Sequence, residues 1–303
     1  MGDVQRLHEM TTALDAQDRA FGGGACRDAI VGYLNWATKL RNATMTDDTR
    51  RGLDTALTEL EILAGWTSFD MRLHDSAEHF CRRAAHSAQL AEEPLLAARA
   101  LTQIGWIYSK DGHYGDAMRA YQLAIMAVTE VGSPRAVAYV TLSEAEVHAR
   151  RGNVRATEDA MSRAHFEFAR ADERGTERHT LMLSDEAQLR NFGVGIYSDL
   201  AAHDPSLAPR AIEEASMAAA LSESTGRTRG VLQARVALAL NHYRCGDTTT
   251  ANDQAAHVLT ALPQVSSRRV LASLRPLAIA AAAHRTDSTA TDLAQRISTH
   301  AMG

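Results

Sequence analysis

"QIGWIYSKDGHYGDA", residues 103–117, repeats the outline of "LAGWTSFDMRLHDSA", residues 63–77, forty positions earlier. Gly105 falls on Gly65, Trp106 on Trp66, Lys110 on Asp70 and Ala117 on Ala77. The spacing reaches a third stretch, where Gly65 and Gly105 become Ala145, and Ala84 and Ala124 become Ala164. Small residues that return at a fixed interval of this length point to one repeated supersecondary unit. Within the second stretch the order is Ile104, Gly105, Tyr108, Gly112, Ala117, Tyr121, Ala124. A large and a small residue on a first helix are followed by a turn glycine, then by small, large and small residues on a second helix. Gly105 and Ala117 lack bulk, so the paired helices can approach closely. The tyrosines fill the space beside them, and Gly112 permits a turn that a β-carbon would strain.

Working outward, the third stretch carries Gly152 as its turn, with His148 and Met161 at the large sites. "VALALNHYRCGDTTTANDQAAHVL", residues 236–259, places Leu238, Ala239, His242, Gly246 and Ala251 at the same offsets. Between them, "LSDEAQLRNFGVGIYSDL" (183–200) and "APRAIEEASMAAALSE" (208–223) make a further helix pair around Pro205 and Pro209, with either Gly193 or Gly195 as its small site. "ADERGTERHT" (171–180) is polar and is expected to loop out. Upstream, "AIVGYLNWATKL" (29–40) and "DTALTELEILAGW" (54–66) show apolar residues at helical spacing. The pattern resembles the tetratricopeptide repeat. The fold class expected is therefore all-α: a right-handed α-solenoid of about six helix pairs. Residues 1–57 form capping N-terminal helices and residues 58–303 the repeats.

The bulk numbers suit that reading and exclude others. Of 303 residues 45% are hydrophobic but only 5% aromatic, the balance of an alanine- and leucine-rich helical chain. A formal charge of -5 supplies no overall attraction for nucleic acid or an anionic membrane. Cys26, Cys81 and Cys245 are odd in number and far apart, a pattern of reduced thiols rather than of disulfides or a zinc site. No apolar run reaches the ~20 residues needed to span a bilayer, and "MGDVQRLHEM" lacks the apolar core of a secretion signal. Gly2 is not followed by a myristoylation context. The expected location is cytoplasmic.

The combination "VQRLHEMTTALDAQDRAFGGGACRDAIVGYLNWA", "LAGWTSFDMRLHDSAEHF" and "AMRAYQLA" resembles the helical-repeat region of helix-turn-helix regulators of the xenobiotic-response-element type from high-GC Gram-positive bacteria. The resemblance covers nearly all of the chain, and an arginine-rich composition with Lys39 and Lys110 as the only lysines suits a high-GC coding sequence. In that family a DNA-binding domain precedes the segment corresponding to "DVQRLHEMTTAL", where this chain begins. The resemblance therefore implies a sensor or interaction module linked to secondary metabolism, with no direct DNA binding by this chain and a homodimer or partner protein as companion.

In the repeat geometry the first helix of each pair lines a concave surface. The residue after each small site, Trp66 or Trp106, is turned by about 100° and can face that groove. Four residues on come Asp70, Lys110 and Arg150, on the same faces as Trp66, Trp106 and Glu146. Arg99, Gln103 and Tyr139 lie on the same helices and extend the set. Two indoles among mixed charges suit a peptide or a flat small molecule, with aromatic area for affinity and charge for orientation. The alternative is that the indoles cover the core between repeats and the charges are simply solvated.

Other motifs carry less. "FGGGAC" (21–26) lacks the lysine and hydroxyl residue that close a phosphate loop, and reads as a turn before a helix starting near Arg27. His74, His79 and His86 have no carboxylate or cysteine partners at metal-ligand spacing, so no metal is expected. Glu186, Arg190 and Asn191 can converge with Glu146 and Arg150 across the groove, where a desolvated carboxylate would act as a general base. No nucleophile or cofactor fingerprint accompanies them, and no cofactor is expected. The leading expectation is a regulatory module that binds a ligand or peptide. A repurposed biosynthetic enzyme or a protein-docking adaptor are the alternatives.

Overall fold

A computed structural model describes residues 2–171 and 185–302, with the side chains of 301 and 302 left aside. Among the described residues there are fourteen α-helices and no strand. The chain is all-α. Most of the segment 171–180, expected to loop out, lies outside the described residues. The chain divides into two compact units. The first takes residues 2–18, 23–147 and 158–171; the second takes 19–22, 148–157 and 185–302.

The first unit is built on α1 (Gly2–Phe21), α2 (Arg27–Lys39), α3 (Asp47–Asp70), α4 (His74–Leu90), α5 (Pro94–Lys110), α6 (Tyr114–Val131), α7 (Pro134–Arg150) and α8 (Val154–Ala171), with the ends of α1, α7 and α8 assigned as above. The boundary expected between residues 57 and 58 falls inside the continuous helix α3. Consecutive helices pack on one another, α3 on α4, α4 on α5 and α5 on α6, and α3 also touches α5.

One turn recurs. Leu73 N donates to Ser68 O at 2.9 Å, His113 N to Tyr108 O at 2.8 Å, and Asn153 N to His148 O at 3.0 Å. Each bond spans a position of positive φ, occupied by Arg72, Gly112 and Gly152. Satisfying the last carbonyls of a helix through a left-handed residue is a common way to end it, and glycine does so without Cβ strain. The forty-residue period is thus a period of helix-ending turns.

The small sites do what their position requires. A Cβ on Gly65 would lie 2.5 Å from Cys81 Sγ, and one on Gly105 would lie 2.2 Å from Cε1 of the Tyr121 ring. Gly65 and Gly105 are equivalent, as are Cys81 and Tyr121, so one close approach of the paired helices is used twice. At the N-terminal end, Leu7 and Leu14 of α1 join Ile30 and Leu34 of α2 and Leu53, Leu57, Leu60 and Leu63 of α3 in one buried cluster.

The second unit holds α9 (Glu186–His203), α10 (Ala208–Ser224), α11 (Thr228–Cys245), α12 (Thr248–Ala261), α13 (Arg268–Ala283) and α14 (Ser288–Met302). Each packs on the next in the runs α9–α10–α11–α12 and α13–α14, while α11 also touches α9 and α13. The same turn returns, with Arg227 N donating to Ser222 O at 2.9 Å and Asp247 N to His242 O at 3.0 Å, over left-handed Gly226 and Gly246. Asp185, Asp247 and Ser267 start their helices by accepting from the backbone N–H three residues on. Gly193 is the close-contact site left open in the sequence. Its Cβ would lie 3.2 Å from Glu214 Oε2, whereas one on Gly195 would meet nothing within 4 Å. The core is mostly aliphatic: Leu232, Val236, Val258, Val270, Leu274, Leu277, Leu293 and Ile297, with alanines between and one ring, Tyr243.

Candidate binding site

The helical repeat dictates which side chains share a face. Residues spaced by four, three and four fall along one stripe, so Arg99, Gln103, Trp106 and Lys110 line up on α5. The residues forty positions earlier are Glu59, Leu63, Trp66 and Asp70 on α3; forty positions later they are Tyr139, Ser143, Glu146 and Arg150 on α7. The candidates named from the sequence in the first unit all belong to these stripes.

The rings stack as rungs between the helices. Trp66 and Trp106 lie edge-on with centroids 5.4 Å apart, and Trp106 meets Tyr139 at 5.4 Å in the same manner. Phe69 adds two more contacts, with its ring 6.0 Å from Trp66 and 6.4 Å from Trp106. Both indole N–H groups are satisfied within the protein. Trp66 Nε1 donates to Asp18 Oδ2 at 2.8 Å and Trp106 Nε1 to Ser143 Oγ at 2.9 Å. Trp106 is 7% exposed, Arg99 7%, Gln103 3%, Tyr139 2% and Asp70 0%. Trp66 is half-buried.

α1 lies against the α3 stripe along its length. His8 Nδ1 and Glu59 Oε2 are 2.6 Å apart, and Asp18 receives the Trp66 indole. Gly23, in the turn after α1, donates its N–H to Asp70 Oδ2 at 3.0 Å. That turn is the "FGGGAC" stretch. A Cβ on Gly23 would lie 2.8 Å from Thr67 O, so the glycine lets the chain run close over the end of α3 before α2 begins at Arg27.

The more accessible end of the stripe is ionic. Lys110 Nζ donates to Glu146 Oε1 at 2.6 Å across α5 and α7, with side chains 30% and 17% exposed. Deeper in, Cys81 Sγ donates to Gln103 Oε1 at 3.2 Å, and burial pushes that thiol above its ordinary range. Glu61 accepts from Arg83 Nη2 at 2.7 Å. Burial raises its carboxyl above the usual range against the opposing pull of Arg83 and Arg41.

Arg150, Glu186, Arg190 and Asn191 belong to the second unit. Arg150 Nε is 3.5 Å from Asp199 Oδ2, and its carbonyl is 3.0 Å from His203 Nε2. Glu186 and Arg190 form an i,i+4 pair at 3.4 Å, and Arg190 reaches on to the buried Glu214 at 3.2 Å. Arg210 meets the same carboxylate at 3.2 Å while its guanidinium lies 5.3 Å from the Tyr197 ring centroid. Asn191 Nδ2 donates to Ser222 Oγ at 3.1 Å. The arrangement is a carboxylate clamped by two arginines between α9 and α10.

Sequence reasoning overlooked Asp18, Ser143, Glu61 and Glu214. Ser143 was within reach, since it stands forty positions after Gln103 in a stripe already traced. Glu214 stands four residues after Arg210 in an otherwise alanine-rich run, a weaker signal. Asp18 had none, because its pairing with Trp66 spans 48 positions and no period. Among the described residues no group of three His, Cys, Asp or Glu side chains is placed to hold a metal ion, and no helix is long and apolar enough to cross a membrane. His74 Nδ1 lies 2.9 Å from Asp111 Oδ1, and His79 packs on Phe80. No protein-family model matches the chain, and no curated protein matches it.

Proposed function

We propose that the helix pairs form a right-handed tetratricopeptide-like solenoid, and that the chain is a cytoplasmic regulatory module binding a peptide or flat small molecule along the α3–α5–α7 stripe. In role it corresponds to the sensor region of the xenobiotic-response-element type regulators that its sequence resembles, without direct DNA binding. The observation that carries this reading is α1 itself. A helix of the chain's own lies on the α3 stripe, with a carboxylate at Trp66 and a polar pair at Glu59, and this packing supports the reading that the surface suits an amphipathic segment. The next rungs, Trp106 and Tyr139, are closed within the protein and brace the helices that carry the stripe. Lys110 and Glu146, at the accessible end, offer one charge of each sign for orientation.

A panel of synthetic peptides and aromatic metabolites, screened by thermal shift and then by tryptophan-fluorescence titration, tests it. At least one compound should raise the melting temperature in proportion to its concentration. Lys110→Ala should bind that compound at least about tenfold more weakly while melting close to the parent, because partly exposed ion pairs contribute ~0–1 kcal/mol. Parental affinity in Lys110→Ala and Glu146→Gln, or no binder across the panel, would count against the stripe as the site.

A further inference from the structure

A series of paired cations at the helix ends breaks at α11. Seven residues before the first buried residue of α6, α8 and α12, which are Ala117, Thr157 and Ala251, stand Lys110, Arg150 and Arg244. The first two find a carboxylate on the helix that opens the next pair: Lys110 has Glu146 of α7, and Arg150 has Asp199 of α9. For Arg244 that next helix is α13, which α11 touches and which carries no Asp or Glu. Eleven residues before Ala290, the first buried residue of α14, stands Ile279, in the register that Glu146 holds before Thr157. An isoleucine that is 64% exposed thus takes the place of the pairing acid.

Arg244 turns back instead. Its Nη1 donates to Ser198 O at 2.9 Å and to Asn241 Oδ1 at 2.8 Å, two uncharged acceptors. Asn241 is fully buried and is fixed by its own Nδ2, which donates to Ser198 Oγ at 3.0 Å and to Ala237 O at 2.8 Å. The guanidinium is therefore held in place by the fold. Desolvation pulls it below its ordinary range against the opposing pull of Asp199, the carboxylate that already serves Arg150. Among the described residues no carboxylate hydrogen-bonds to Arg244 or forms an ion pair with it.

The ends of α11 and α13 lie side by side. His284 Nε2 donates to Tyr243 O at 3.1 Å, and the two rings stack with centroids 5.3 Å apart. His284 follows Ala283, the last member of a stripe formed by Ala272, Pro276, Ile279 and Ala283 at i, i+4, i+7 and i+11. The stripe holds no polar side chain, and its last three members are exposed.

We propose that the ends of α11 and α13 form a binding site for an aliphatic carboxylate, with the carboxylate on Arg244 and the chain along the α13 stripe. The planar fork of a guanidinium suits a carboxylate, and such a bond is stronger where water is partly excluded. One fixed polar group beside an apolar surface is the usual make-up of a small-molecule site. The site belongs to the second unit and does not depend on the α3–α5–α7 stripe.

Isothermal titration calorimetry of the full chain with octanoate, octanamide and inorganic phosphate tests it, with circular dichroism on each variant. Octanoate should bind, and the amide and phosphate should bind at least about tenfold more weakly, since each lacks one of the two parts. Arg244→Gln should lose at least about tenfold in octanoate affinity with unchanged helicity. Ile279→Asp, which supplies the acid that α13 lacks, should close the site to octanoate as well. Arg296→Gln, on the exposed face of α14, should bind like the parent. If Arg244→Gln loses helicity, Ile279→Asp decides. No binding of octanoate to the parent, equal binding of octanoate and octanamide, or equal binding of octanoate and phosphate would each overturn the proposal. Parental octanoate affinity in a folded Arg244→Gln, or in Ile279→Asp, would overturn it in favour of a site elsewhere.

Discussion

The two units end their helices with the same turn and yet hold them together differently. In the first, Trp66, Trp106, Tyr139 and Phe69 form a continuous series of rings between α3, α5 and α7. In the second, alanines with leucine and valine fill most of the space, with the buried Tyr197 and Tyr243 among them, and the carboxylate of Glu214 is held by Arg190 and Arg210. One helix-pair geometry therefore accepts two kinds of filling. What stays constant is the turn and the residue without bulk beside it; what lies between the helices is free to differ, as expected if packed volume matters more than side-chain identity.

The sharpest test of that contrast is Trp106→Ala. If the rings are the packing of the first unit, urea unfolding should show a loss of ~3–5 kcal/mol, the usual cost of removing a buried tryptophan side chain. A loss below about 1 kcal/mol, the scale of an ordinary surface substitution, would mean that the rings lie over the packing rather than within it.

A smaller effect compares one chemical change in both units. Gly105→Ala drives a methyl into the Tyr121 ring and should cost about 1–3 kcal/mol. Gly195→Ala, on an exposed helical position with nothing within 4 Å, should gain about 0.5–1 kcal/mol. Thermal denaturation that moved both in the same direction would contradict the close-contact assignment.

Smaller again is the gain at Arg72, where the first turn of the series places a side chain at φ 59° while Gly112 and Gly152 occupy the equivalent sites. The left-handed conformation costs an L-residue roughly 1–2 kcal/mol, part of which glycine gives back as unfolded-chain entropy. Arg72→Gly should therefore stabilise by about 0.5–1 kcal/mol, and Gly112→Arg should do the reverse. No gain in chemical denaturation of Arg72→Gly would show that the arginine side chain compensates its own backbone.

The least effect, and one of sign only, is acid response. Burial raises the carboxyls of Glu61 and Glu144 in the first unit. The stability tied to each is present below pH 4.5, the ordinary value, and lost as pH rises through the raised one. In the second unit Asp204, Asp247 and Asp287 are lowered by hydrogen bonds, chiefly with Ser206, Thr250 and Ala290. Their contribution is present above pH 3.8 and lost as pH falls through the lowered values. Unfolding followed against pH should show Glu61→Gln removing stabilisation gained on mild acidification, and Asp247→Asn removing part of the loss at stronger acid. Parallel pH curves for parent and both variants would erase this difference between the units.

Legibility in the sequence followed the same divide. In the first unit a rare residue recurs, and one tryptophan forty positions from another betrays the period at once. In the second, alanine occupies small sites and ordinary helix positions alike, so Gly193 and Gly195 looked equivalent until Glu214 was seen against one of them. The candidate stripe was readable as a set of residues sharing a face, since 3.6 residues per turn assigns faces without any tertiary information. Which of those residues water reaches was not readable, because that depends on what is laid over them.

By itself the sequence determined the helical character of the chain, the helix-ending turns at Gly112, Gly152 and Gly246 and the close-contact glycines Gly65 and Gly105, since these depend on local backbone preference and on bulk at recurring positions. Only the tertiary structure decided that α1 lies on the α3 stripe, that Asp18 takes the Trp66 indole, that Asp70 is bound to Gly23 N–H, and that Arg190 reaches the buried Glu214. Those pairings join residues distant along the chain, and no local preference encodes them. They arise when separate helices find the arrangement that buries their apolar faces while leaving each buried polar group a partner.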